Sequence, residues 1–260
     1  MSAITITLNR GPVVGWSSPL VMSALAVAVL AAIAFGAVNG ASPRPFLDMS
    51  LLRNRTFALS SASLFLAGLS MASVNFVLPF FLQLALGLNP ARMGLLLAAP
   101  PTLQMLLSPV SGRLTDRIGF VLPATLGVAM DVLAALWLST ASITTAGVWM
   151  VLRLALVGVG PGLLQTPNQM AVMTSAPPER AGMASGFLGT MRHLGMITGV
   201  ASVGTFFSLR SSYHAAVTGG NAALGFAAGF REAMWMLVAV NLVGVIVSAS
   251  RARRRTPTRD

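Results

Sequence analysis

The stretch SGRLTDRIGF, residues 111–120, breaks a chain that is otherwise almost continuously apolar. It places Arg113, Asp116 and Arg117 within five residues, between Gly112 and Gly119. On either side lies an apolar run, from Met93 to Val110 and from Phe120 to Ser139. Each is near the roughly 20 residues that a helix needs to cross a bilayer. A charged segment between two such runs has the pattern of a short connection at a membrane surface, and the rest of the chain is read in that frame.

Composition supports it. Of 260 residues, 55% are hydrophobic and only 9% charged, where soluble domains carry roughly 25%. The mean hydropathy is +0.79. A net charge of +11 suggests nucleic acid at first sight, but a nucleic-acid binder gathers its cations on a solvated face. Here they sit in short gaps between apolar runs, so no nucleic-acid partner is expected. All 17 basic residues are Arg, which excludes a retinal Schiff base because that linkage needs Lys. With no Cys and two His, neither a disulfide nor a metal site of usual ligand number is expected. Ser185 and His193 lie eight residues apart on one helix, too far for a nucleophile–base contact, so the chain is not read as an enzyme.

Seven apolar runs are long enough to span: Pro19 to Gly40, Phe57 to Leu86, Met93 to Val110, Phe120 to Ser139, Gly147 to Met170, Gly186 to Leu209 and Ala233 to Ser250. Pro79 should bend the second, and Pro100 and Pro101 should kink the third. If the gap before Phe57 is cytoplasmic, eleven Arg lie inside and four outside, with Arg153 and Arg192 within spans. That split obeys the positive-inside rule, and the reverse orientation inverts it. Ser142 and Ser211 then face outside, and the carboxyl terminus is cytoplasmic. Its tail, RARRRTPTR, carries five Arg against anionic lipid, each contributing about 1 kcal/mol near the surface.

In this topology SGRLTDRIGF is a cytoplasmic turn, and Asp116 sits just before the fourth helix, where a carboxylate faces the orphan N–H groups. The spacing resembles the loop signature G-x-L-A-D-R-x-G-R-[KR] of the major facilitator superfamily. Gly112, Leu114, Asp116, Arg117 and Gly119 match, Thr115 replaces the small residue, and Phe120 and Val121 replace the trailing basic pair. Further segments are similar to the C-terminal half of the fourteen-span drug/proton antiporter branch: GWSSP at 15–19, PRPFLDMSLLRNRTFA at 43–58, FFLQLALG at 80–87 and RAGMASGFLGTMRHLGMITGVA at 180–201. The resemblance implies an all-α integral membrane protein. It divides the chain into a short leading segment (1–18), a linker helix and loop (19–56), a six-helix transporter half (57–250) and the basic tail (251–260). It also implies an N-terminal half as partner, a place in the plasma membrane, and no cofactor beyond a proton gradient. The loop would act as a latch, through Gly112, Arg113, Asp116, Arg117 and Gly119.

Ionisable groups inside spans cost about 2.5 to 3.5 kcal/mol each on insertion scales, which makes them functional candidates. They are Asp131, Arg153 and Arg192. Asp131 and Arg153 should lie at similar depth on consecutive helices, either as a structural ion pair or with Asp131 carrying a proton. Arg192 is assigned to gating contacts or to holding a carbonyl-rich partner helix end, and Gly182, Gly186, Gly189 and Gly195 around it to close helix approach. GVGPG at 158–162 is read as a packing and kink element. Asn75, Gln83, Gln104, Gln165 and Asn168, with Phe76 and Phe80, describe a mostly apolar cavity with few polar anchors, suited to small amphipathic substrates. The expected function is proton-coupled export of such compounds. The alternative is a non-transporting membrane module that needs a separate N-terminal half.

Overall fold

The computed structural model describes residues 53–145, 147–175 and 177–253, which contain helices and no strand. The first apolar run and the tail from Arg254 onward lie outside the described residues.

Helix α1, Arg55–Phe80, starts at Asn54, whose Oδ1 accepts from the backbone N–H groups of Thr56 and Phe57 at 3.0 and 3.4 Å. Pro79 supplies no N–H to the ladder, and the helix then widens into a π-turn over Phe81–Ala85. Asn89 caps α2, Pro90–Leu97, and α3 follows after Ala98 as Ala99–Ile118. Pro100 and Pro101 therefore begin a helix, where their missing N–H groups have no partner to lose. The expected kink is a break between two helices.

The opening stretch is not a loop. α3 continues to Ile118, and the connection to α4, Val121–Ser139, is only Gly119 and Phe120. Gly119 takes φ 81°, a conformation that favours glycine. Buried Ser111 and Thr115, one turn apart, explain the helix. Ser111 Oγ donates to the Leu163 carbonyl at 2.7 Å, holding this face on the neighbouring helix, while Arg113, Asp116 and Arg117 point to the exposed side. Asp116 lies in the last turn of α3 rather than ahead of α4, exposed and without a hydrogen bond or ion pair to another described residue.

The remaining elements are α5, Gly147–Ser175, a 3-10 turn at Pro178–Arg180, α6, Ala181–Val217, α7, Ala222–Ala249, and a 3-10 turn at Ser250–Arg253. Among the described residues five segments are long and apolar enough to cross a membrane: Arg55–Ala85, Pro90–Ile118, α4, α5 and α7. α6 is the longest helix among the described residues, at 37 residues, but Arg192, His193 and Arg210 dilute its apolar character.

α1 lies at the centre, packed on α5, α6 and α7; α4 bridges α5 and α7, and α3 rests chiefly on α5. Burial of apolar surface does not drive helices together in lipid, so close backbone approach carries the packing. A Cβ at Gly68 would meet the Arg192 carbonyl carbon at 3.3 Å, and one at Gly199 would meet the Leu69 carbonyl carbon at 2.9 Å, so α1 and α6 touch backbone to backbone. Of the glycines expected to do this, Gly195 does, against Phe65, whereas Gly182, Gly186 and Gly189 face open space. Gly158 and Gly162 admit α3 at Pro100 and Leu107.

Alternating helix directions define two ends. One holds Asn54, Gly119 and Arg251, with Asn54 Nδ2 donating to the Ser175 carbonyl at 3.2 Å. The other holds the π-turn, Trp149 and the α6–α7 turn, sealed by Phe81 stacked on Phe230 at 4.2 Å.

Candidate intramembrane charge site

Asp131 projects from the middle of α4 towards α5. Its carboxylate occupies the volume that a side chain at position 160 would need, since a Cβ on Gly160 would collide with Oδ1 and Cγ of Asp131. The glycine between Val159 and Pro161 thus makes room for an acid within a span, a role that the reading of GVGPG as packing alone did not include. Beyond the carboxylate lies a cavity of about 20 Å³, whose lining includes Gly68, Asp131, Pro161, Gln165, Arg192 and Met196. A cavity needs roughly 10–15 Å³ to hold one water, so this one has room for a water between polar groups. Helices α1, α4, α5 and α6 therefore bring one acid, one base and one amide to a single enclosed space. Neither Asp131 nor Arg192 makes an ion pair or hydrogen bond with another described residue.

The anticipated pairing of Asp131 with Arg153 is not made. Arg153 turns instead towards the Trp149 end, where Nη2 donates to Thr140 Oγ1 at 3.1 Å and the guanidinium lies 5.9 Å from the Trp137 ring centroid. Its Nε and Nη1 are buried without a partner. The partner that Asp131 shares a cavity with comes from α6, two helices later in the chain.

A second charge cluster escaped the sequence reading. Glu232 accepts from Arg210 Nε and Nη2, the latter at 2.8 Å, and faces His214 Nε2 at 2.8 Å. A last span starting only at Ala233 leaves Glu232 outside, but α7 begins at Ala222 and contains it. The Arg210 and Glu232 side chains remain 39% and 25% exposed, so this is an accessible tie between α6 and α7.

Arg251, read as part of the tail, is buried. Nη1 donates to Asn168 Oδ1 at 2.6 Å and to Ser60 Oγ at 3.3 Å, and Nη2 donates to Ser248 Oγ at 3.0 Å. Asn168 Nδ2 donates to Ser63 Oγ at 3.0 Å, and Ser248 shares a hydroxyl contact of 2.9 Å with Thr125. The guanidinium joins three helices directly and α4 through Ser248, and burial pushes its pKa down to about 10, still ionised at neutral pH. The serines of SSAS at 60–63 and Ser248, three residues before Arg251, were the available signal.

The proposed substrate-lining residues do not converge on one cavity. Gln165 joins Asp131 and Arg192, whereas Asn168 belongs to the Arg251 network. Gln104 lies against Gly162 and accepts, through its carbonyl, from Ser108 Oγ at 2.8 Å. Asn75 and Gln83 are exposed on one side of α1 and the π-turn. Phe76 and Phe80 pack together at 5.3 Å, and Phe80 approaches Phe207 at 6.1 Å.

A family model described as Major Facilitator Superfamily matches residues 11–200. The "Uncharacterized transporter YebQ" of Escherichia coli is 35% identical over 207 residues, covering 78% of this chain and 45% of that protein. The "Multidrug resistance protein Stp" of Mycobacterium tuberculosis is 30% identical over 205 residues, covering 79% and 38%. The "Riboflavin transporter RibZ" of Clostridioides difficile is 24% identical over 203 residues, covering 78% and 44%. The chain spans less than half the length of these relatives. An all-helical described bundle, five membrane-length apolar segments, charges enclosed between helices and a match across most of the sequence have one common explanation, and the chain belongs to the Major Facilitator Superfamily.

Proposed function

We propose that this chain forms the linker helix and C-terminal half of a fourteen-span drug/proton antiporter and exports small amphipathic compounds together with an N-terminal half. The Arg251 end faces the cytoplasm in this reading, because Arg113, Arg117 and Arg251 gather there while Arg92 lies at the other end. Alternating access needs two halves rocking about a midplane site, so the substrate would lie between this bundle and its partner. Asn75, Phe76, Phe80 and Gln83 on one side of α1 would supply part of that wall. The names of the multidrug resistance and riboflavin relatives support small organic substrates.

The observation that carries proton coupling is that Asp131 and Arg192 line the same small cavity. A neutral carboxyl there leaves Arg192 without a counter-charge. Loss of the proton creates an anion that draws the guanidinium across the cavity, and α6 with it. One proton released to one side for each such movement couples the proton gradient to rocking. Asp131 thus carries the proton, Arg192 reads its charge, and Gln165 supplies a neutral hydrogen-bonding partner to either state.

Everted membrane vesicles containing this chain and a complete N-terminal half test the reading. Adding a transported dye should release protons from the acidified lumen, and collapsing the gradient should stop dye uptake. Uptake that persists without the gradient refutes coupling. Absence of transport by any such pair favours a non-transporting membrane module.

A further inference from the structure

At the Trp149 end, the π-turn, α2 and the start of α5 enclose an open groove of about 630 Å³. That lies within the roughly 300–1,000 Å³ of small-ligand sites. Its walls are mostly apolar: Leu86, Leu88, Leu96 and Met150 at the back, with Leu95 and Val148 at the mouth, 78% and 73% exposed. One charged side chain lines it, Arg92. The backbone N–H of Arg92 donates to Asn89 Oδ1 at 2.9 Å, while its guanidinium makes no hydrogen bond or ion pair with another described residue. Among the described residues neither Asp nor Glu borders the groove.

Three features say what medium the groove meets. It lies at the helix ends, where α1 turns into α2 and α4 into α5. Trp149, 56% exposed, and Trp137 stand at the same end, and tryptophan ring belts mark the headgroup level. The span that forms one wall, Pro90–Ile118, is the least buried of the five, 6% of its most apolar window against 33% or more elsewhere. An apolar slot at the end of the bundle that carries two tryptophans, with a cation at its rim, matches an acyl chain joined to a phosphate. With no carboxylate to receive a choline or ethanolamine cation, the charge favours a headgroup that is net anionic.

We propose that this groove is a binding site for an anionic glycerophospholipid, one acyl chain lying against Leu88, Leu95 and Val148 and the phosphate bound by Arg92. The lipid fills a gap between the α1–α2 and α4–α5 connections and braces them against each other. It is a separate site from the Asp131 cavity, and its occupancy does not depend on transport.

The full chain with Trp16→Phe and Trp235→Phe, which retains Trp137 and Trp149 at the groove's end of the bundle, is reconstituted in phosphatidylcholine vesicles. Increasing fractions of brominated phosphatidylglycerol or of brominated phosphatidylcholine are then introduced, and tryptophan fluorescence is followed. Quenching by the anionic lipid should reach half its limit at a roughly fivefold lower mole fraction, the preference expected of one basic residue near an anionic headgroup. Arg92→Gln, at an exposed position that leaves packing intact, should abolish the preference, and Arg92→Lys should keep most of it. Equal quenching by the two lipids overturns the proposal, and so does a preference that survives Arg92→Gln, which would assign it to another cation such as Arg153. A groove already occupied by another segment of the chain or by a protein partner would give equal quenching and count against it.

Discussion

The carboxylate of Asp131 on α4 lies where the first side-chain carbon of residue 160 on α5 would stand, so Gly160 and Asp131 share one volume. A half-buried acid within a span is accommodated by a missing methyl group rather than held by an ion pair. The relation is reciprocal: either residue can grow only if the other shrinks.

Gly160→Ala should therefore destabilise the bundle by about 1–3 kcal/mol, the usual range for overpacking a tight interior. Thermal unfolding in detergent measures it. Asp131→Ala combined with Gly160→Ala should recover most of the loss, because the collision is with the carboxylate. Equal damage in the single and double variants would show that the two positions do not compete.

Asp131→Asn keeps the size and hydrogen-bonding ability of the side chain while removing its titration. In the vesicle assay it should uncouple dye movement from the proton gradient at near-normal membrane abundance. A variant that still releases protons on dye addition would move the coupling site elsewhere.

Arg251→Ala removes the donor shared by Ser60, Asn168 and Ser248. Leaving a buried polar group unsatisfied costs about 1–3 kcal/mol, and here three groups lose a partner. Membrane abundance and melting temperature should fall. Arg251→Lys should recover little, since an ammonium cannot reproduce the planar fork that reaches α1, α5 and α7 together. Full stability in Arg251→Lys would reduce the network to a single hydrogen bond.

Asp116 has no partner in the described conformation and lies at the carboxyl end of α3, the unfavourable pole for an anion. We propose that it acts as a latch by gaining a cationic partner in the opposite transport state. A helix-terminus charge is worth about 0.3–1 kcal/mol, a roughly two- to fivefold change in a two-state equilibrium. Asp116→Asn should slow transport by that factor with unchanged abundance. Transport at the unmodified rate would reduce the residue to a solvated charge.

Topology is best probed at exposed sites. Ser211, first expected at the outer surface, is buried against Gly229, so it is unsuitable. Cysteines at Ser142 and Thr218 should be labelled by an impermeant reagent from outside, and one at Arg113 only after the membrane is opened. The opposite pattern inverts the orientation.

Some of this was written in the order of residues along the chain. Apolar runs of span length located the five described segments that are long and apolar enough to cross a membrane, because a lipid-facing helix must be apolar along its length whatever it packs against; the run from Gly186 to Leu209 also located α6, which falls short of that apolar character. Arg placement assigned Arg113, Arg117 and Arg251 to one end, since charge is expelled to the surface locally. The family was legible for a similar reason, in short contiguous motifs such as that at 180–201.

What depended on neighbours was not legible. SGRLTDRIGF read as a loop because charge and glycine resemble solvent, yet Ser111 reaches the Leu163 carbonyl 52 residues away and makes it helix. Depth alone paired Asp131 with Arg153, but rotation about each helix axis decides which face a side chain takes, and only packing against the glycines of α5 and α6 sets that rotation. It directs Asp131 over Gly160 towards Arg192, turns Arg153 to Thr140 and Trp137, and folds Arg251 back among four helices. The sequence determined which segments enter the membrane, and tertiary contact decided which charges meet inside it.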